Sequence, residues 1–303
     1  MYRALAWIIV APLYLLSLLP LRVHHFFARI IGFFLRCVVK YRRAVIDANL
    51  AAAFPEIDRE GRKKIARDYY GYLADIICEI VWAATRSGRH IRRKGFMRVA
   101  PEGEALLNTV YRGNQSVVVL LSHTGNWEIA SDLPAYMVKP AFGIKDMTVA
   151  YQVLHNPLSE QIFLLLRRKR LSAPGSLVPS QTILRFMLEH RGQRRAYFFI
   201  ADQYPYGGIS VTTGFLHNET EWAFGAEAVA RKLHLPVLYV YIDRASRGEY
   251  VLKISQICSD ASLLQKGEVT AAYSAMLERD ILSRKENWLW SHRRWKNKKI
   301  YTI

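Results

Sequence analysis

Between Ser116 and Leu121 the chain reads SVVVLL, an apolar, largely β-branched run with no alternation of polar and apolar positions. A strand with one solvated face alternates. An unbroken run is what a strand buried on both faces needs, and that burial is the habit of parallel sheets covered by helices. Ala196 to Ile200 (AYFFI) and Pro236 to Ile242 (PVLYVYI) repeat the pattern, and Tyr250 to Ile254 (YVLKI) is read as a fourth strand. Between them, helical spacing predicts helices over Glu128 to Met137, Leu158 to Arg168, Gln181 to Glu189 and Trp222 to Leu233. Strands alternating with helices define an α/β chain with a central, mostly parallel sheet flanked by helices.

The N-terminal part is different. Ala4 to Pro20 carries no charge, and as a helix it would reach about 26 Å, a marginal bilayer span that Pro12 would kink. Only Arg3 precedes it and no small-residue cleavage site follows, so it is read as an uncleaved membrane anchor rather than a signal peptide. Arg22, Arg29, Arg36 and Lys40 then recur at seven, seven and four residues, one helical stripe between apolar faces, as expected of a helix lying on anionic headgroups. Asp47 to Phe54 reads as a short helix ended by Pro55, and Asp58 to Ala84 as a long one with Ile65, Tyr69, Tyr72, Ile76, Ile80 and Ala83 on its apolar stripe. The resulting division is an anchor and interfacial helix over residues 1–45 and a remainder over 46–303, itself split near Arg89 to Lys94 (RHIRRK) into a helical layer, 46–90, and an α/β part, 91–303.

The formal net charge is +18 on 303 residues, a field that attracts polyanions. The cations repeatedly neighbour apolar and aromatic runs, as in Trp288 to Lys299, which suits a lipid–water interface and argues against nucleic acid as partner. By the positive-inside rule the basic segment after the apolar run places the rest of the chain in the cytoplasm, on the inner side of the membrane. Cys37, Cys78 and Cys258 form no C-x-x-C pair or disulfide framework, consistent with a reducing compartment.

The most informative residues follow the first buried strand: Ser122-His123-Thr124-Gly125-Asn126-Trp127-Glu128. Side chains just beyond the carboxyl ends of parallel strands stand on a rigid base where ligands gather. Gly125-Asn126 allows a tight turn, Glu128 would open the next helix, and the turn could fold Glu128 back onto His123. An imidazole so placed can take a proton from a hydroxyl while a carboxylate fixes its tautomer; the bland alternative is a histidine that only caps the turn.

This heptapeptide resembles the His-x4-acid motif of the glycerolipid acyltransferases. In its Gly-Asn-Trp-Glu form it is similar to the late acyltransferases of lipid A biosynthesis, a likeness that runs along nearly the whole chain. The resemblance implies an acyltransferase with His123 as general base and Glu128 as its acid partner, and with Gly125, Asn126 and Trp127 lining the substrate. It implies a functional arginine in the helix after Asn156-Pro157-Leu158. Among Arg167-Arg168-Lys169-Arg170 the reading takes Arg168, with Arg170 behind it, to bind phosphate or carrier. Asp202-Gln203, directly after AYFFI, would line the cleft. The segment from Gly214 to Thr220 resembles a Phe-Phe-Gly-x-x-Thr loop, with Thr220 as its threonine. His217 stands where that loop has glycine, a departure that points to altered specificity. Trp288 to Lys296 resembles the closing Trp-x-His-Arg-Arg-aromatic-Lys motif and brings in Arg293 and Arg294 at the headgroup interface.

No Gly-x-Ser-x-Gly elbow is present, so direct transfer is expected rather than an acyl-enzyme. The donor would be an acyl thioester on an acidic acyl carrier protein or on coenzyme A. The acceptor would be a glycolipid or phospholipid hydroxyl, with backbone N–H groups of the Gly125 turn holding the oxyanion. No metal or other cofactor is called for. The rival enzyme readings are acylation of a lysophospholipid or aminolipid and aminoacyl transfer to lipid A. The non-enzymatic rival is a basic lipid-binding scaffold, in which His123 would be dispensable. His24, His25 and His234 read as interfacial or helix-surface residues.

Overall fold

The computed structural model describes residues 2–301 apart from 114, 169, 170, 172, 206, 297 and 298. In chain order the helices and strands are α1 (Tyr2–Ser17), α2 (Leu21–Cys37), α3 (Arg43–Ala53), α4 (Arg59–Ala83), α5 (Gly88–Arg93), β1 (Met97–Val99), α6 (Pro101–Arg112), β2 (Val117–Leu121), α7 (Trp127–Ala130), α8 (Leu133–Tyr136) and β3 (Met147–Tyr151). They continue with α9 (Pro157–Arg168), β4 (Leu177–Pro179), α10 (Ile183–Glu189), β5 (Ala196–Ile200), β6 (Ser210–Phe215), β7 (Asn218–Ala223), α11 (Gly225–Lys232), β8 (Val237–Ser246), β9 (Glu249–Cys258) and α12 (Glu268–Ser283). Seven of the described strands form one sheet in the order β1-β9-β8-β2-β5-β3-β4. Every neighbouring pair in it is parallel except β8–β9.

The SVVVLL run supplies the middle strand. All five residues of β2 are buried, flanked by β5 on one side and β8 on the other. Alternate side chains of β2 enter opposite cores. Val118 and Leu120 join Tyr69, Tyr72, Tyr239 and Tyr273 on one face, and Val117, Val119 and Leu121 join Phe96, Tyr136 and Tyr250 on the other. Burying both faces removes the solvent-facing positions that would have produced alternation.

Elsewhere the structure departs from the periodicity reading. Trp222 to Leu233 is not one helix: Trp222 and Ala223 end β7, and α11 begins at Gly225. β6 and β7 form a separate antiparallel pair that turns through Leu216 and His217. Glu128 to Met137 breaks into the one-turn helices α7 and α8, because Pro134 cannot supply an amide to continue the first. β1 and β4, three residues each, are too short to leave a pattern, and β3, β6 and β7 were not foreseen either.

At the N-terminus α1 has 16 residues with Pro12 inside it, and among the described residues no helix is long and apolar enough to cross a membrane. α1 packs Ala6 and Val10 against Leu165 of α9, and the Tyr14 hydroxyl donates to the Leu165 carbonyl at 3.3 Å. α2 lies against α4 through small residues: Ala28 packs on Ala74, and Gly32 faces the Tyr70 carbonyl and Gly71 so closely that a Cβ there would sit 3.3–3.5 Å from their backbone. Its other face leaves Phe26, Phe27, Ile30, Phe33 and Phe34 exposed. The two histidines of α2 are not on that face. His24 is buried with Nε2 3.1 Å from the Leu16 carbonyl, and His25 reaches inward to Glu79.

Candidate active site

The parallel register between β2 and β5 places Leu121 beside Ile200. Two residues beyond each lie His123 and Asp202, so the sheet delivers an imidazole and a carboxylate to the same point from strands that are distant in sequence. His123 Nδ1 stands 2.6 Å from Asp202 Oδ1, and the His123 backbone N–H donates to Oδ2 at 2.9 Å. Trp288 Nε1–H donates to the same Oδ2 at 2.7 Å. Burial alone would push the Asp202 carboxyl up. The facing His123 imidazole and the hydrogen bonds from His123 and Trp288 outweigh it, holding the group below the ordinary 3.8. An ionised Asp202 accepts from Nδ1–H and so leaves Nε2 as the unprotonated nitrogen. At Nε2 the Gln203 amide approaches to 3.1 Å. The Trp127 ring stands edge-on to the imidazole with centroids 5.1 Å apart.

Glu128 does not fold back onto His123. Its carboxylate takes a two-pronged ion pair from Arg167 on α9, Nε–Oε2 at 2.9 Å and Nη2–Oε1 at 2.6 Å. The cause is geometric. The chain becomes helical at Trp127, so successive side chains diverge by about 100°: Trp127 covers the imidazole while Glu128 is aimed at α9. The acid predicted from the local motif is thereby replaced as the histidine's partner by an acid from the neighbouring strand. The arginine on Glu128 is Arg167; the Arg168 side chain and Arg170, expected to bind phosphate or carrier, lie outside the described residues.

The turn itself is held from three directions. Gly125 has φ +55°, and a Cβ there would fall 2.2 Å from the Ile242 side chain, so glycine is required on both counts. Its N–H donates to Asn287 Oδ1 at 3.1 Å and its carbonyl accepts from the Tyr72 hydroxyl at 2.7 Å. Of the turn's N–H groups expected to face the oxyanion, that of Gly125 is therefore already bonded within the fold. Asn126, fully buried, donates to Glu79. Asn287 also donates to the Ile242 carbonyl at 3.0 Å, and the Tyr273 hydroxyl to the Leu121 carbonyl at 2.7 Å.

The C-terminal segment also supports the site. Trp288 and Asn287 make the contacts above, and His292 Nε2 accepts from the Tyr204 N–H at 3.2 Å. Burial drives the His292 pKa down to about 4. Arg294 is buried with its guanidinium 4.4 Å from the Trp222 ring centre, donates to the Glu221 carbonyl, and has its pKa lowered by burial to about 10. Arg293 is exposed and, with Lys40, Arg42, Arg43 and His292, lines a cavity of about 580 Å³. Thr220 is buried, accepting from Trp295 Nε1 at 2.8 Å and donating to the Asn218 carbonyl; it fastens the C-terminal segment to β7. Among the described residues no three His, Cys, Asp or Glu converge as a metal site requires. Asn287, Trp288, Tyr72 and Glu79 escaped the sequence reading as site residues. The first two stand in or beside the closing motif, whereas nothing local marks the α4 pair.

An α/β sheet with a carboxylate-held histidine at the carboxyl end of its central strand defines a class of proton-transfer sites rather than one reaction. The family model of the bacterial lipid A biosynthesis acyltransferases matches residues 1–297, and the chain belongs to that family. It is an acyltransferase of lipid A biosynthesis. No curated protein matches it.

Proposed function

We propose that the protein moves a fatty acyl chain from a carrier thioester directly onto a hydroxyl of a lipid A precursor, with His123 as general base acting from Nε2. The 2.6 Å contact of Nδ1 with the buried Asp202 carboxylate is the observation that carries this reading. In the reaction the acceptor hydroxyl displaces the Gln203 amide from Nε2 and passes its proton to the imidazole as its oxygen attacks the thioester carbonyl. Asp202 stabilises the imidazolium that results. Collapse of the tetrahedral intermediate returns the proton to the departing thiolate. The displaced Gln203 N–H, already beside Nε2, can donate to the oxyanion. Glu128 acts by holding Arg167 as a fixed cation for an anionic part of donor or acceptor.

The +18 charge favours an acidic carrier protein as donor. The exposed aromatic face of α2, with the exposed Ile8, Leu15 and Leu18 of the N-terminal segment, suits a chain seated in one leaflet of the cytoplasmic membrane, its site on the cytoplasmic side. With only 16 residues, α1 supports seating better than spanning.

The test is mass spectrometry of lipid A from a deletion strain complemented with wild type or His123→Ala. Loss of one acyl mass, restored by wild type alone, is the expected result. An unchanged lipid A with a shift in another lipid class would move the acceptor to a lysophospholipid or aminolipid. Restoration by His123→Ala would remove His123 from the chemistry. In the purified enzyme the same variant should lose roughly 100-fold or more in rate.

A further inference from the structure

Glu79 lies on α4, outside every motif of the site, and is completely buried. Its Oε1 accepts from His25 Nε2 at 3.0 Å, and its Oε2 accepts from Asn126 Nδ2 at 3.0 Å and from the Tyr250 hydroxyl at 2.7 Å. A carboxylate withdrawn from water is costly unless donors replace its hydration. Here the three donors come from three separate pieces of the molecule: α2, the turn after β2, and β9. Asn126 occupies the position that precedes α7, where an asparagine side chain ordinarily bonds the helix's own first N–H groups. It makes no such bond and is given over to Glu79. Two helical turns earlier on α4, Tyr72 takes the Gly125 carbonyl. One helix thus grips two consecutive residues of the turn that separates His123 from Glu128.

We propose that Glu79 is a positioning residue for the transfer reaction, fixing the turn through Asn126, with His25 as its outer partner. The inference rests on His123 being the base, and Glu79 itself touches neither substrate nor the reacting atoms. It also joins the turn to α2. The His25 carbonyl accepts from Arg247 at 2.7 Å, Arg247 is ion-paired with Asp75 of α4, and the far face of α2 carries the exposed phenylalanines. The seat of α2 and the geometry of the turn therefore meet at one buried carboxylate.

The test exchanges the two roles. Asn126→Asp sets a second carboxylate against Glu79, and kcat should fall about 100-fold, the scale of a 1 Å misplacement, while KM stays within about 2-fold. Adding Glu79→Gln restores a donor–acceptor pair with the amide on the other partner, and kcat should return to within about 10-fold of wild type. Melting temperatures of wild type, Asn126→Asp, Glu79→Gln and the double variant report the 79–126 bond without reference to activity: the double variant should melt above Asn126→Asp alone. Should Asn126→Asp not fold, Glu79→Ala and Asn126→Ala form the cycle, and the double should be no slower than the slower single. Additive rate losses in either cycle, or a folded Glu79→Ala with kcat within about 2-fold of wild type, overturn the proposal. A wild-type protein that transfers no acyl group would overturn the reading of the site, while the melting cycle would still stand.

Discussion

The two carboxylates near His123 differ in partner, and that difference predicts different kinetics. Asp202 is buried and bonded to Nδ1, so Asp202→Asn should remove the tautomer control and the support for the imidazolium. A loss of about 1000-fold in kcat with little change in KM is expected in steady-state assays with acyl thioester and lipid acceptor. Glu128 is bonded to Arg167, and in the proposed mechanism it acts through that arginine. Glu128→Gln should therefore cost less, about 10-fold, and Arg167→Lys, which cannot fill both prongs, should match it. If Glu128→Gln proves the more damaging of the two acids, the partner assignment is reversed.

Among the elements, the β6–β7 hairpin explains the departure at His217. Leu216 and His217 both have positive φ, 47° and 60°, the backbone of a two-residue turn in which glycine is at ease and other residues are strained. Leu216 compensates by complete burial, whereas His217 is exposed and 3.8 Å from Glu56. His217→Gly should raise stability by about 0.5–1 kcal/mol in denaturant unfolding, with acyl transfer unaltered. The second element of interest is α2. Its inner stripe of small residues and its exposed phenylalanines predict that Phe33→Ser together with Phe34→Ser weakens sedimentation with anionic vesicles at least 10-fold, the fold remaining intact. Equal binding by the variant would place the membrane contact elsewhere.

At the scale of the molecule, acid should undo the fold in two stages whose signs follow from the buried groups. His292 is neutral in the fold, with a pKa of about 4 against an ordinary 6.5. Unfolded chains therefore bind the extra proton first, and stability present above pH 6.5 is lost as the pH falls toward 4. The loss is on the order of 2 kcal/mol once partial solvent screening is allowed for. Asp202 is held below 3.8, so its contribution persists through that window and disappears only at lower pH. Melting temperatures between pH 7 and 4 should fall for wild type and fall less for His292→Gln, whose amide oxygen can still accept from the Tyr204 N–H.

Much of this protein was legible in its residues because it is written in contiguous stretches. Uninterrupted apolar runs announce strands buried on both faces, so the central strands and the α/β class could be read directly, as could the position of His123 at a strand end. The turn at Gly125 was also local, since a positive φ needs no distant partner to be foreseen. What the sequence could not determine were choices made between strands and helices remote in the chain. The β2–β5 register brings Asp202 to His123, α9 takes Glu128 away through Arg167, and α4 secures the turn through Tyr72 and Glu79. Those pairings depend on which elements become neighbours, and burial energy, which favours apolar contact without direction, leaves that choice to the packed whole.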